Sequence, residues 1–146
     1  MLTTTKTFLA GAALALVTLG PAAAADPNGT WLTEGGKSHV RIAHCGGAIC
    51  GRIVWLKEPN DPETGKPKTD KRNADAGKQS RPMIGVEIVL SMKPAGADKW
   101  AGQVYNAEDG KTYSGSITMD GPGSLKLEGC AMGGLICKTQ AWTRVN

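Results

Sequence analysis

Cys45 and Cys50 enclose a Gly-Gly pair, and Cys130 and Cys137 enclose a longer span with a Gly-Gly pair of its own. Thiols so placed could bind a soft metal, cycle as a redox couple, or oxidise into staples. Structural zinc sites space their paired ligands closely, as in C-x2-C, and the spacings here are longer even with His44 beside Cys45. A thioredoxin-like couple needs C-x-x-C at a helix start, which neither segment offers. Gly-Gly supplies the positive backbone dihedrals of a tight turn, so each pair is predicted to bridge a hairpin, Cys45 with Cys50 and Cys130 with Cys137. Crossed pairing would need the two hairpins side by side, which the sequence neither demands nor forbids. Over such short loops each bridge contributes at the lower end of roughly 2–4 kcal/mol. Neither a metal nor another cofactor is expected.

Other reactive chemistry is sparse. His39 and His44 are the only histidines and fall on one predicted strand, and no G-x-S-x-G elbow or Walker-type phosphate loop occurs. His44 shares the parity of Val40 and Ile42 and is expected as a rim or core histidine. Glu87 and Glu128 lie opposite the apolar faces of their strands, so no carboxylate pair faces one cleft. Asp70 to Asp75 superficially matches a calcium loop but lacks its central glycine and bidentate glutamate. A non-enzymatic protein is expected. The binding candidates are Trp55, Trp100, Tyr105, Tyr113 and Trp142, rings that either fill a small barrel or line its pocket. Arg81 joins them as an anchor for a carboxylate or phosphate, or else as a tie pairing with Asp70 or Asp75.

The elements that would position these residues are strands. From Thr30 onward apolar and polar residues alternate between Gly, Pro, Asn and Asp punctuation, with no sustained helical period. About eight strands result: GTWLT, HVRIAHC, ICGRIVWL, VEIVLSM, KWAGQVY, KTYSGSITM, SLKLEGC and CKTQAWTR. In the third, Ile53 and Trp55 oppose Val54 and Leu56; in the fourth, Val86, Ile88, Leu90 and Met92 oppose Glu87, Val89 and Ser91. Connections are short, Asp109-Gly110 being a strong hairpin signal, except for one long polar loop from Lys57 to Pro82 after the third strand. The predicted fold is all-β, a single up-and-down antiparallel barrel whose closure removes exposed edges and leaves room for one small ligand.

The first residues bear on compartment. Lys6, an apolar run and Ala23-Ala24-Ala25 form a leader too short for a membrane-spanning helix, which needs roughly 20 apolar residues. Residues 1–25 are therefore predicted to be a signal peptide cleaved near Ala25, and 26–146 one periplasmic or secreted domain with no transmembrane segment. The formal charge of +4 falls to +3 without Lys6, with basic residues scattered among acids. Nucleic-acid binding, which clusters basic and aromatic residues, is not expected.

Gly29-Thr30-Trp31 on a first strand, with Trp142-Thr143-Arg144 closing the last, resembles the lipocalin and calycin pattern. That resemblance implies a structural pair, Trp31 packed at the closed end with Arg144 across it, a cation–π contact worth about 0.5–2 kcal/mol. The ordered series GTW, CGGAICGRIVWL, RPMIG, WAGQVYNAEDGKTYSG, LEGC and QAWTR is similar to the bacterial exported family called domain of unknown function 2147. It implies a lipocalin-like barrel and carries no activity. The expected role is to hold a small apolar or amphipathic ligand, or a cell-envelope component, in the barrel or at its mouth. The alternative is a scaffold that binds an envelope protein through its surface or long loop.

Overall fold

Alternating side chains can bury one face of each strand only if the strands wrap around a common interior, and that is the arrangement found. The computed structural model describes residues 7–18 and 25–146. The charged tip with Lys6 and the small-residue run Ala22–Ala24 of the expected leader lie outside the described residues. Eight antiparallel strands, each bonded to its chain neighbours, close into one barrel. They are β1 (Gly29–Leu32), β2 (Ser38–Cys45), β3 (Ala48–Leu56), β4 (Glu87–Gly96), β5 (Lys99–Asn106), β6 (Lys111–Met119), β7 (Ser124–Ala131) and β8 (Ile136–Arg144). Among the described residues, no helix is long and apolar enough to cross a membrane.

The strand directions define two ends. At the floor lie the start of β1, the 45–48 hairpin, the 96–99 and 119–124 turns and Arg144; at the mouth lie residues 33–37, the β3–β4 connection and the 107–110 and 131–136 turns. Trp31 is fully buried at the floor, its Nε1 donating to the Pro27 carbonyl at 2.9 Å. The Arg144 guanidinium lies 4.4 Å from the centre of the Trp31 ring and donates to the carbonyls of Pro122, Asn28 and Asp26 at 2.7, 2.7 and 2.5 Å. One cation thus ties the segment before β1 to the β6–β7 turn and seals the floor.

Every strand contributes to a single apolar cluster that fills the interior, including Trp31, Ile42, Ile53, Met92, Leu127 and Trp142. Two inward glycines allow it. A Cβ on Gly102 would lie 2.9 Å from the Met92 Cα, and one on Gly115 would lie 3.0 Å from both the Met92 Cε and a Val104 methyl. The bare backbone lets the neighbouring β4 and β5 strands lie close at the irregular stretch of β4 and leaves room for the Met92 side chain over Gly115.

Register shifts along β3 and β4 alter the expected alternation. Val40 pairs with Ile53 but His39 pairs with Trp55, so Val54 is an extra, bulged residue. Cross-strand partners share a face, and beyond the bulge parity reverses: Leu56 packs on the core, while Trp55 is on the barrel exterior, 41% exposed, with its ring 4.3 Å from that of His39. In β4 the expected face is likewise broken, since Val89 and Met92 are the fully buried pair and Ser91 between them takes φ 43°. Ser91 is the price of the shift. His44, expected toward the rim or core, is exposed near the floor.

Candidate functional site

Above the apolar cluster, the inward positions nearest the mouth turn polar. Val104 faces Tyr113 across β5 and β6, and Asn106 faces Lys111 one step higher. On β8, Trp142, Gln140 and Lys138 share parity and pair with Leu125, Leu127 and Gly129. The inner wall therefore changes from buried Leu127 and Trp142 to half-buried Tyr113 and Asn106 and exposed Gln140 and Lys138. Trp142 donates from Nε1 to Gln140 Oε1 at 3.0 Å, which fixes the amide at the boundary. Tyr113 donates its hydroxyl to Asp109 in the β5–β6 turn. Partial burial opposes ionisation of Asp109, but this bond and the Lys111 backbone N–H outweigh it and hold the carboxyl below its ordinary range. The same bond raises the Tyr113 hydroxyl above its ordinary value.

The mouth is bridged at its rim by Lys37 and Glu108, whose charged atoms are 3.5 Å apart in solvent. Such an exposed pair contributes only about 0–1 kcal/mol, so it is a light latch. On the β8 side the wall is incomplete. β1 is four residues long and pairs with β8 only at Arg144 and Thr143. Residues 136–141 of β8 are all exposed.

The other candidates have different places. Trp55 is outside, against His39. Trp100 packs on the core from the floor end of β5. Tyr105 faces outward but is buried beneath the β3–β4 connection, residues 57–86, which carries a 3-10 turn at Ala76–Lys78 and short bridges Asn60–Pro67 and Thr69–Pro82. Its hydroxyl donates to Oδ1 of fully buried Asp70 at 2.6 Å, while Oδ2 accepts from Arg81 Nε and Asn73 Nδ2, each at 2.9 Å, and lies 2.8 Å from Arg81 Nη2 in an ion pair. Burial, then the bond to the Asp70 carboxylate, pushes the Tyr105 hydroxyl up to about 12. Arg81 is thus a tie of the connection to the wall through Asp70, and Asp75 instead accepts from the Gly77 N–H at 2.9 Å. The Arg72 guanidinium adds a bond to the Glu108 carbonyl at 2.7 Å.

Of the six ring and arginine candidates, Tyr113 belongs to the mouth, while Trp142 is buried toward the floor end of β8 and meets the mouth wall only through its bond to Gln140. Asn106 has the turn role its residue type suggests, its Oδ1 accepting from the Glu108 N–H at 3.0 Å, whereas nothing in the residue types of Lys138 and Gln140 marks them. The signal that finds them is parity: Lys138 and Gln140 alternate in step with Trp142.

The cysteines pair locally, Cys45 with Cys50 and Cys130 with Cys137, and no cysteine is free. Glu128 lies close to both Cys130 and Cys137, a grouping with metal-ligand character, but each sulfur is committed to the disulfide. Two shallow clefts lie outside the barrel. One, about 100 Å³, lies between the connection and Ala107 and includes Lys68, Lys71 and Arg72; the other, about 160 Å³, lies on the outer face of β2 and β3 around Arg41, His44 and Arg52. Both are below the roughly 300 Å³ of a typical ligand pocket.

Comparison with solved structures gives a similar fold in a Helicobacter pylori protein, HP1028, described as belonging to the lipocalin family. The two share 24% identity over 84% of each chain with a TM-score of 0.70. Comparison with curated proteins gives no match. The family model described as an uncharacterised protein conserved in bacteria matches residues 29–144, and the chain belongs to that family, DUF2147.

Proposed function

We propose that this is an exported, non-enzymatic, lipocalin-like protein that holds a small amphipathic molecule at the mouth of the barrel. Its apolar part would rest on Leu127 and Trp142, and an anionic group would meet Lys138 and the Gln140 amide. The observation that carries this reading is the change along the inner wall from a dry floor to exposed cationic and amide groups on the same β8 face. The filled interior directs a ligand to the mouth rather than the barrel centre. The histidines lie away from the mouth wall, His39 against Trp55 and His44 near the floor, which favours binding over catalysis. Two disulfides and a bacterial family are compatible with an extracytoplasmic protein, so we place the mature chain in the periplasm or outside the cell after removal of residues 1–25. The ligand is a small metabolite or a detached envelope component.

Anilinonaphthalene sulfonate, an apolar ring system bearing one anion, is a direct probe. Wild-type protein is expected to bind one equivalent with enhanced fluorescence, and Lys138→Glu to weaken it about tenfold or more, the scale of one charge-assisted hydrogen bond. Absence of saturable binding, or equal binding by the variant, contradicts the reading.

A further inference from the structure

The shortness of β1 leaves part of a strand edge without a partner. In an antiparallel strand, successive residues direct their N–H and C=O groups to alternate sides. Along β8 and the residue that follows it the sides are fixed by three bonds: Arg144 N donates to the Gly123 carbonyl on the β7 side, whereas Val145 N reaches the Thr30 carbonyl and Ala141 N reaches Glu34 on the β1 side. Odd-numbered β8 residues therefore face the β1 side. Beyond Leu32 that strand has ended, and Cys137 and Thr139 present both N–H and C=O to open space, with no hydrogen-bond partner for these backbone groups among the described residues.

Folds usually blunt such an edge, and this one is blunted at one point. The Glu34 carboxylate accepts the Ala141 N–H at 3.3 Å, standing where a neighbouring strand's carbonyl would stand. One step toward the mouth nothing does so. The open stretch is flanked by Leu135 and Ile136, 84% and 53% exposed, and by Met132 at 70%, on a tip stapled by Cys130–Cys137. Lys138, between the two open residues, makes no ion pair among the described residues.

We propose that the β8 edge at Cys137–Thr139 docks an extended segment of another protein as an added strand, with an acidic side chain of that segment beside Lys138 and an apolar one against Leu135 and Ile136. The backbone supplies the binding groups, and the lysine and the apolar tip select the segment. This docking shares Lys138 with the small-ligand reading but rests on main-chain donors and acceptors at Cys137 and Thr139, which that reading does not use.

The probe is a blocked, fluorescein-labelled seven-residue peptide alternating valine and glutamate, titrated by anisotropy, with backbone amide exchange followed in parallel. Wild-type protein is expected to bind it and to slow exchange of the Thr139 amide about tenfold or more. A peptide N-methylated on its pairing edge is expected not to bind. In Thr139→Pro the lost N–H serves no internal bond, so the barrel and its sulfonate binding remain while peptide binding disappears. If that variant does not fold, the N-methylated peptide on wild-type protein decides. Failure of the valine–glutamate peptide to bind at about 1 mM overturns the proposal. So does equal binding of the methylated peptide, or Thr139 protection that rises with protein concentration alone, which would assign the edge to a second copy of this chain.

Discussion

A carboxylate as fully buried as that of Asp70 persists only if its lone pairs are occupied, and three side-chain hydrogen bonds from Arg81, Asn73 and Tyr105, with the Arg81 ion pair, occupy them. The Tyr105 hydroxyl is the one contributed by the barrel wall, so it fastens the β3–β4 connection to β5. Tyr105→Phe leaves Oδ1 without that donor and is expected to cost about 1–3 kcal/mol in urea unfolding. The effect has a pH signature. Tyr105 ionises near 12 in the fold against an ordinary value of 10, so its contribution is complete below pH 10 and lost as pH rises from 10 through 12. The gap between wild type and Tyr105→Phe should therefore narrow over that window; a gap that stays constant would show that the hydroxyl does not hold the connection. The attraction between Arg81 and Asp70 was legible in the sequence because opposite charges border the connection. The phenol on the outer wall was not, since its parity marks it as solvent-facing and only the docked connection buries it.

At the scale of elements, glycines on β5 and β6 let neighbouring strands and Met92 pack closely on the inner face. Gly102→Ala sets one methyl against the β4 backbone at Met92 and Ser91 and is expected to destabilise by about 1–3 kcal/mol, as overpacking does, with a lowered melting temperature. An unchanged melt would mean that the walls have slack there. Strand identity was readable from period-two alternation and turn residues, and each expected strand overlaps one in the barrel. Register was not readable. The alternation of ICGRIVWL continues through Val54 without a mark in the sequence, yet the bulge sends Trp55 outside and Leu56 inward, because pairing with His39 and Ser38 is set by the neighbouring strand. β4 breaks in the same way, where Ile88 and Leu90 look as apolar as Val89 but only Val89 joins Met92 as fully buried. Lys138 and Gln140, by contrast, were available from the parity of Trp142 and hidden only by their ordinary surface composition.

The whole molecule combines a sealed floor, a filled centre and a mouth left incomplete where β1 stops. Closure brings the start of β1 beside the residues after β8, with Thr30 N bonded to the Asn146 carbonyl at 3.1 Å and Arg144 reaching the Asp26 and Asn28 carbonyls. It also makes the mouth wall, where buried Trp142 and Leu127 give way to Gln140 and Lys138, the place for the proposed binding. Native mass spectrometry of protein purified from its own host, beside Lys138→Glu prepared in the same way, tests this most directly. The account predicts a low-mass adduct retained by the wild type and lost or much reduced in the variant. A bare polypeptide mass from wild-type protein, or an adduct held equally by both, would contradict it.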